Sequence, residues 1–352
     1  MPTLFDPLQI GPLTLKNRII MAPLTRARAG TERVPNAMMA EYYTQRAGAG
    51  LILSEATSVT PMGVGYADTP GIWNDDQVAG WAQVTKAVHD AGGLIFLQLW
   101  HVGRISDPIF LDGELPVAPS AIQPAGHVSL VRPKKDYVTP RALDTDEIPA
   151  IVEAYRKGAE NARRAGFDGV EIHAANGYLI DQFLQDGTNR RSDRYGGSIE
   201  NRARFLDEIA QAVTGVWGAD RVGLHLAPRG DSHDMGDSDP RALFTHVARR
   251  MRELGLAFLC LREHPGPDSL LDDIKAAFGG VVIANEGLTG DIASDLVASG
   301  RADAAAFGKD FIATPDLPHR LAAGLALNTP NPATFYGTGP EGYVDYPVAE
   351  EA

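Results

Sequence analysis

Within six residues the sequence sets an imidazole, a carboxamide and a phenol: His173, Asn176 and Tyr178. The first two can aim neutral hydrogen-bond donors at one oxygen, and a phenol, with an ordinary pKa of about 10, can protonate a carbanion beside it. A second group, Asn285-Glu286-Gly287 and Gly308-Lys309, places two glycine-containing turns at helix starts, the first capped by Thr289. Backbone N–H groups with one ammonium are the equipment for holding a phosphate. Further polar residues follow apolar runs at Thr25, Glu55, Gln98, His225, Arg229, Arg262 and Glu263. Any one of them can be a cap or turn residue, and a histidine closing a strand can serve a structural hydrogen bond. Their collection from separate segments is what argues for a site. No metal is expected, because three ligating side chains with an open position are not apparent around His173 or around His225 and His233.

Bringing such residues together requires strands that end where they stand. Eight short, branched-apolar runs occur in order, at 19–21, 51–53, 94–99, 169–172, 222–226, 258–261, 281–284 and 304–307. They are continuous rather than alternating, as parallel strands covered on both faces should be. Amphipathic stretches lie between them, with Val78, Trp81, Val84 and Val88, then Ile148, Ile151, Val152, Tyr155 and Ala159, then Leu243, Val247, Met251 and Leu254 at helical spacing. Gly92, Gly166, Gly255, Gly279 and Gly300 each stand between a helical stretch and the next strand, where glycine adopts the left-handed helix-ending conformation cheaply. Eight β-turn-α units predict a single (β/α)8 TIM barrel domain over 1–352, with its chemistry at the C-terminal strand ends. A doubly wound sheet would also alternate, but no ninth element is seen and no G-x-G-x-x-G follows the first strand. Residues 101–147, rich in proline, are expected as a capping insertion over the barrel mouth. The tail of about 328–352, with Phe335, Tyr336, Tyr343 and Tyr346, is expected to fold back over it, since exposing so many rings is costly.

The 352 residues carry 32 Lys and Arg against 45 Asp and Glu, a net charge of −13. That leaves no broad cationic surface for nucleic acid or an anionic membrane. One cysteine, Cys260, cannot form an intrachain disulfide, a four-thiolate zinc site or an iron–sulfur cluster. Neither a basic and apolar leader nor an apolar run of about 18 residues is visible. The expectation is a cytoplasmic monomer or homodimer acting on small molecules.

Taken in order, Met21-Ala22-Pro23-Leu24-Thr25-Arg26, Glu55-Ala56-Thr57, Gln98-Leu99-Trp100-His101, the His173 to Tyr178 cluster, Tyr195-Gly196-Gly197-Ser198, and Phe335-Tyr336-Gly337 with Glu341 to Pro347 resemble the Old Yellow Enzyme family of flavin-dependent ene-reductases. The resemblance runs nearly end to end and is strongest to bacterial xenobiotic, nitrate-ester and N-ethylmaleimide reductases. It implies tightly bound FMN, with NADPH or NADH as a transient reductant in a ping-pong cycle. Ala22, Pro23, Leu24 and Thr25 would approach the flavin ring, Ala56 and Gln98 its pyrimidine edge, and His173 would lie beside it. Asn285, Glu286, Gly287, Gly308 and Lys309 would take the phosphate. Trp100, Phe335 and Tyr336 would wall a substrate pocket shared with Thr25, His173, Asn176 and Tyr178.

In the chemistry so implied, His173 and Asn176 hold the oxygen of an activated alkene, flavin N5 gives hydride to the β-carbon, and Tyr178 protonates the α-carbon. Unsaturated carbonyls, maleimides and nitroalkenes are the implied substrates, with nitrate esters and nitroaromatics as further candidates. Thr25 stands where the family's thermophilic-like branch has cysteine, and no cysteine cluster matches the iron–sulfur relatives. One departure concerns the fifth strand, which in the family usually presents an arginine to the flavin N1 and O2 edge; here it reads Val222-Gly223-Leu224-His225-Leu226. A neutral imidazole stabilises negative charge less than a guanidinium does, so Arg262, closing the next strand, is the expected substitute. Two other readings stand beside this one. A phosphate-binding barrel lyase or isomerase would use Lys309 as a Schiff base or His173 as a base, and a flavin carrier would bind FMN without turnover.

Overall fold

The computed structural model describes residues 1–349 and contains the eight expected strands as one closed parallel sheet. They are β1 (Ile19–Met21), β2 (Leu51–Leu53), β3 (Ile95–Trp100), β4 (Gly169–Ala174), β5 (Val222–Leu226), β6 (Phe258–Arg262), β7 (Val281–Asn285) and β8 (Ala304–Phe307). Each pairs with its neighbours in sequence, and β8 pairs with β1 to close the barrel. Helices between them include Asp75–Asp90, Ile148–Arg164, Ile199–Trp217 and Pro240–Leu254, whose apolar stripes face the sheet. Their starts are local in origin. Asn74 and Gln77 form a capping box, and Ser198, Asp239 and Thr289 accept from backbone N–H groups of the first turn. All five helix-ending glycines named above have positive φ.

Two cores follow from the two-residue period of the strands. Outward residues such as Val170, Ile172, Leu224, Leu259 and Val282 pack beneath the helices. Inward residues Ile20, Leu51, Leu53, Phe96, Phe258 and Ile283 fill the barrel, together with Leu8, Ile10 and Leu15 of an N-terminal hairpin. Two of the inward positions are glycines. A Cβ on Gly169 would stand 2.3 Å from the Phe96 ring, and one on Gly223 2.1 Å from the Phe258 ring, so each glycine makes room for a phenyl group. Further along the same strands the interior turns polar, at Gln98, Glu171, His173, His225 and Asn285, all buried.

Residues 101–147 hold a one-turn helix, Pro108–Phe110, and a short parallel pair, Val117–Ala118 with Arg141–Ala142. Val102, Ile105, Val128 and Tyr137 from this segment pack around Trp100 and Tyr178 at the strand ends. The tail folds back as expected through Tyr343, which is buried and stacks on Tyr42 at 4.1 Å, whereas Tyr336 remains 52% exposed. Residues 350–352 of the expected tail lie outside the described residues. Among the described residues no helix is long and apolar enough to cross a membrane.

Candidate active site

A cavity of about 640 Å³ opens at the C-terminal ends of the strands. The loop after β1 contributes Ala22, Pro23, Leu24 and Thr25 to its wall. His173 and Asn176 come from β4 and its loop, His225 from β5, Arg262 from β6, Asn285, Glu286 and Gly287 from β7, Gly308 and Lys309 from β8, and Phe335 and Tyr336 from the tail. The two glycine turns with Lys309 and the paired donors therefore share one cavity.

The turn after β4 is held in place from several sides. Asn176 and Gly177 both have left-handed backbone, with φ of 60° and 76°. Asp181 accepts the Gly177 N–H at 2.9 Å, and Gln182 Nε2 donates to the Gly177 carbonyl at 2.7 Å. The Ala175 N–H donates to His173 Nδ1 at 3.3 Å, which leaves the imidazole proton on Nε2. Burial, reinforced by His225 and Arg262, holds the His173 pKa well below its usual value, so the ring is a neutral donor. Asn176 Oδ1 accepts from Arg262 Nη1 at 2.6 Å, which commits the oxygen and leaves the amide N–H groups for a ligand. Two neutral donors thus border the same space.

Tyr178 is half-buried, its ring edge-on to His173 and Trp100 at 5.0 Å from each. Its hydroxyl lies 2.9 Å from that of Tyr66, and burial raises its pKa further above the ordinary phenol value, so it stays protonated. Tyr66 was not anticipated. It stands in the loop after β2 and stacks on Trp100 at 5.5 Å, and a tyrosine in a strand-end loop is the only signal that could have marked it. His233, whose Nδ1 lies 2.9 Å from the Asn176 carbonyl, also joins this turn.

Four expected contact residues, Tyr178 among them, sit beside the cavity instead of on its wall. Ala56 and Trp100 belong to the buried cluster under Tyr178, and Gln98 donates to Glu171 Oε2 at 2.8 Å. Arg262 does reach the cavity, but as half of an ion pair with Glu286, 2.7 Å away, rather than with Glu263. Glu263 is occupied by Arg229, by Ser269 and by the N–H groups of Leu270 and Leu271. Glu55 is likewise structural. It accepts the N–H groups of Arg26 and Ala27, and so ties the loop after β1 to β2.

At the other end of the cavity Lys309 is exposed and makes no ion pair among the described residues. Gly287, with φ of 68°, lies so near His264 that a Cβ would come within 2.5 Å of Nδ1, and a Cβ on Gly308 would meet Leu24 at 3.2 Å. Asn285 spends its amide on the Ala306 carbonyl, 2.9 Å away, stitching β7 to β8 beneath these turns. Bare backbone and an unpaired ammonium at one end, with hydroxyl, imidazole and amide donors at the other, fit a phosphate-bearing heteroaromatic such as FMN.

Comparison with known proteins agrees. Residues 3–328 match the family described as NADH:flavin oxidoreductase / NADH oxidase. The chain is 43% identical to a "probable flavin mononucleotide-dependent alkene reductase" of Leishmania infantum, covering 98% of this chain and 97% of that one. It is 41% identical to 12-oxophytodienoate reductase 1 of Oryza sativa subsp. japonica, over 99% of this chain and 93% of that one. Among solved structures, the old yellow enzyme homologue from Zymomonas mobilis superposes with a TM-score of 0.96 at 46% identity, covering 99% of this chain and all of the other. Morphinone reductase in complex with tetrahydroNAD gives 0.96 at 49% identity, over 99% and 98% of the two chains. The chain belongs to the NADH:flavin oxidoreductase / NADH oxidase family, that is, to the Old Yellow Enzyme family of FMN-dependent reductases.

Proposed function

We propose that this protein reduces electron-poor alkenes, such as unsaturated carbonyls, maleimides and nitroalkenes, at the expense of NADPH or NADH, with nitrate esters and nitroaromatics as further acceptors. The observation that carries the reading is the pair of neutral donors, His173 Nε2–H and the Asn176 amide, beside a protonated Tyr178. FMN, when bound, supplies hydride transfer at N5. The residues do the rest. Pro23, Leu24 and Thr25 wall the ring, and Gly287, Gly308 and Lys309 take the phosphate. Phe335 and Tyr336 cover the substrate, and Ala56, Gln98 and Trp100 support the ring and pocket from behind. His173 and Asn176 grip the substrate's carbonyl or nitro oxygen and strengthen their hold as charge gathers there. Tyr178 gives its proton to the α-carbon and recovers one through the Tyr66 hydroxyl.

Because nicotinamide and alkene use the same space, the kinetics are ping-pong. A cytoplasmic, monomeric or homodimeric enzyme without nucleic-acid or membrane partners is consistent with its acidic charge and one buried thiol. The experiment is one anaerobic absorbance titration. A flavin band that bleaches with NADPH or NADH and returns on adding cyclohexenone supports the reading; purified protein without flavin would overturn it. Bleaching without return would leave a flavin carrier. A Schiff-base role for Lys309 would instead show as borohydride trapping of a carbonyl substrate.

A further inference from the structure

Beneath the cavity, and reaching its wall through His225, the barrel holds a further polar cluster. Adjacent strands place Glu171, His225 and Cys260 with their polar atoms within 4.8 Å of one another, all buried. Glu171 Oε2 lies 3.5 Å from His225 Nδ1 and accepts the Gln98 Nε2–H, and that amide is also 3.4 Å from His225 Nδ1. Two buried atoms of this cluster, Glu171 Oε1 and His225 Nε2, have no hydrogen-bond partner among the described residues. An amide N–H stands between carboxylate and imidazole, where a metal ion would need a lone pair, so the space is furnished for a proton. The other groups facing His225 are accounted for. His173, 5.6 Å away ring to ring, is a neutral donor; Arg262 is spent on Asn176 and Glu286; and burial pushes the Cys260 thiol up, so that it keeps its proton.

A buried carboxylate with one amide donor is heavily penalised unless positive charge offsets it, and His225 is placed to supply that charge. On the reading that the cavity holds FMN, we propose that Glu171 and His225 form a proton-binding pair, which takes one proton from water when the flavin is reduced. The electrons come from the nicotinamide, which leaves oxidised, and its hydride carries one proton equivalent to N5. The pair holds one proton before reduction and two afterwards, and no bond from it to the flavin is made. The positive charge at His225, on the cavity wall, is therefore switchable where a guanidinium would be permanent.

The test is the midpoint potential of the flavin in the holoenzyme, measured against pH with a redox dye. Each proton taken up changes the reduction equilibrium tenfold per pH unit, which is about 30 mV for a two-electron couple. The wild type should fall by about 60 mV per pH unit, and His225→Gln and His225→Arg by about 30 mV, the arginine variant keeping its charge at every pH. Should His225→Gln lose FMN, Glu171→Gln, which removes the carboxylate without touching the cavity wall, carries the same expectation. Equal slopes in wild type and variants would overturn the proposal, since a proton bound on the flavin itself would survive these substitutions. Protein lacking flavin would instead refute the proposed function.

Discussion

Replacing Arg26 with methionine should release the segment that brings Phe335 and Tyr336 over the cavity. The side chain is fully buried, donating from Nε to the Phe335 carbonyl at 3.1 Å and from Nη2 to the Gly342 carbonyl at 2.7 Å. Its guanidinium also lies over the rings of Tyr42 and Tyr343, at 5.1 and 5.0 Å. Hydrogen bonds to a charged group contribute about 1.5–3 kcal/mol each, and a desolvated cation–π contact about 1–2 kcal/mol. Methionine recovers part of the volume, and Arg28 still holds the Thr334 and Phe335 carbonyls. The docking free energy of the tail should therefore fall by about 3–5 kcal/mol, some two to four powers of ten in the docking equilibrium. Hydrogen exchange over residues 331–346 would report that directly as faster exchange in this segment, while β4 to β6 keep their protection. In turnover the KM for the alkene should rise more than kcat falls. Unchanged exchange in the tail would refute the clasp, and equal acceleration throughout the barrel would make Arg26 a general stability residue instead.

Tyr178→Phe should slow alkene reduction by about 10²–10⁴-fold while leaving flavin reduction by the nicotinamide within a few-fold; equal loss in both half-reactions, followed by stopped flow, would contradict the proton-donor role. Lys309→Met should weaken FMN binding to the apoprotein by about tenfold, the low end for a charge-assisted contact because the side chain is exposed, and an unaltered fluorescence titration would remove Lys309 from the phosphate site. Asp181 gives a pH dependence, because burial pushes its carboxyl from 3.8 up to about 7. With the folded pKa above the unfolded one, the native state binds the extra proton. Its contribution is complete below about pH 4 and is lost as pH rises to about 7, on the order of 4 kcal/mol for a shift of that size. Asp181→Asn should flatten that part of the profile, so a stability difference between variant and wild type that is the same at pH 5 and pH 8 in urea would refute the assignment.

The barrel was legible because its signals are local: continuous apolar runs, helical stripes and a glycine at each helix end need no knowledge of what lies across the fold. The same holds for His173, Asn176 and Tyr178, which are close in sequence as well as in space. What the sequence could not show depends on contacts between distant segments. Arg262 was expected to bring a positive charge to the cavity in place of the fifth-strand arginine; it stands on the wall, but its guanidinium is engaged across the mouth by Asn176 and Glu286, partners that no local pattern marks. Gln98 and Trp100 were expected beside the flavin and the substrate from the family resemblance, yet both are buried on β3, Gln98 held by Glu171 and Trp100 covered by His173 and Tyr178. Tyr66 and Glu171 were missed for complementary reasons. One lies in a loop without periodicity, and the other looks like an ordinary acid until the barrel closes around it.

The depth at which polarity begins follows from the pairing register. On β4 the inward positions are Gly169, Glu171 and His173; on β5 they are Gly223 and His225; on β6, Phe258, Cys260 and Arg262. Gly223 aligns with Glu171 and with Phe258, and His225 with His173 and with Cys260. The phenyl rings over the two glycines thus close the lower barrel to water, and the carboxylate of Glu171 stands immediately above them. A group at that height cannot be solvated from below, and from above it meets Gln98, His225 and Cys260. Its charge has to be settled inside the barrel, by the residues that also border the flavin cavity. Had His225 been an apolar residue, Glu171 would have the Gln98 amide and no basic group beside it. With a histidine there, the same two-residue period that keeps the strands in register couples a buried acid to the cavity above it.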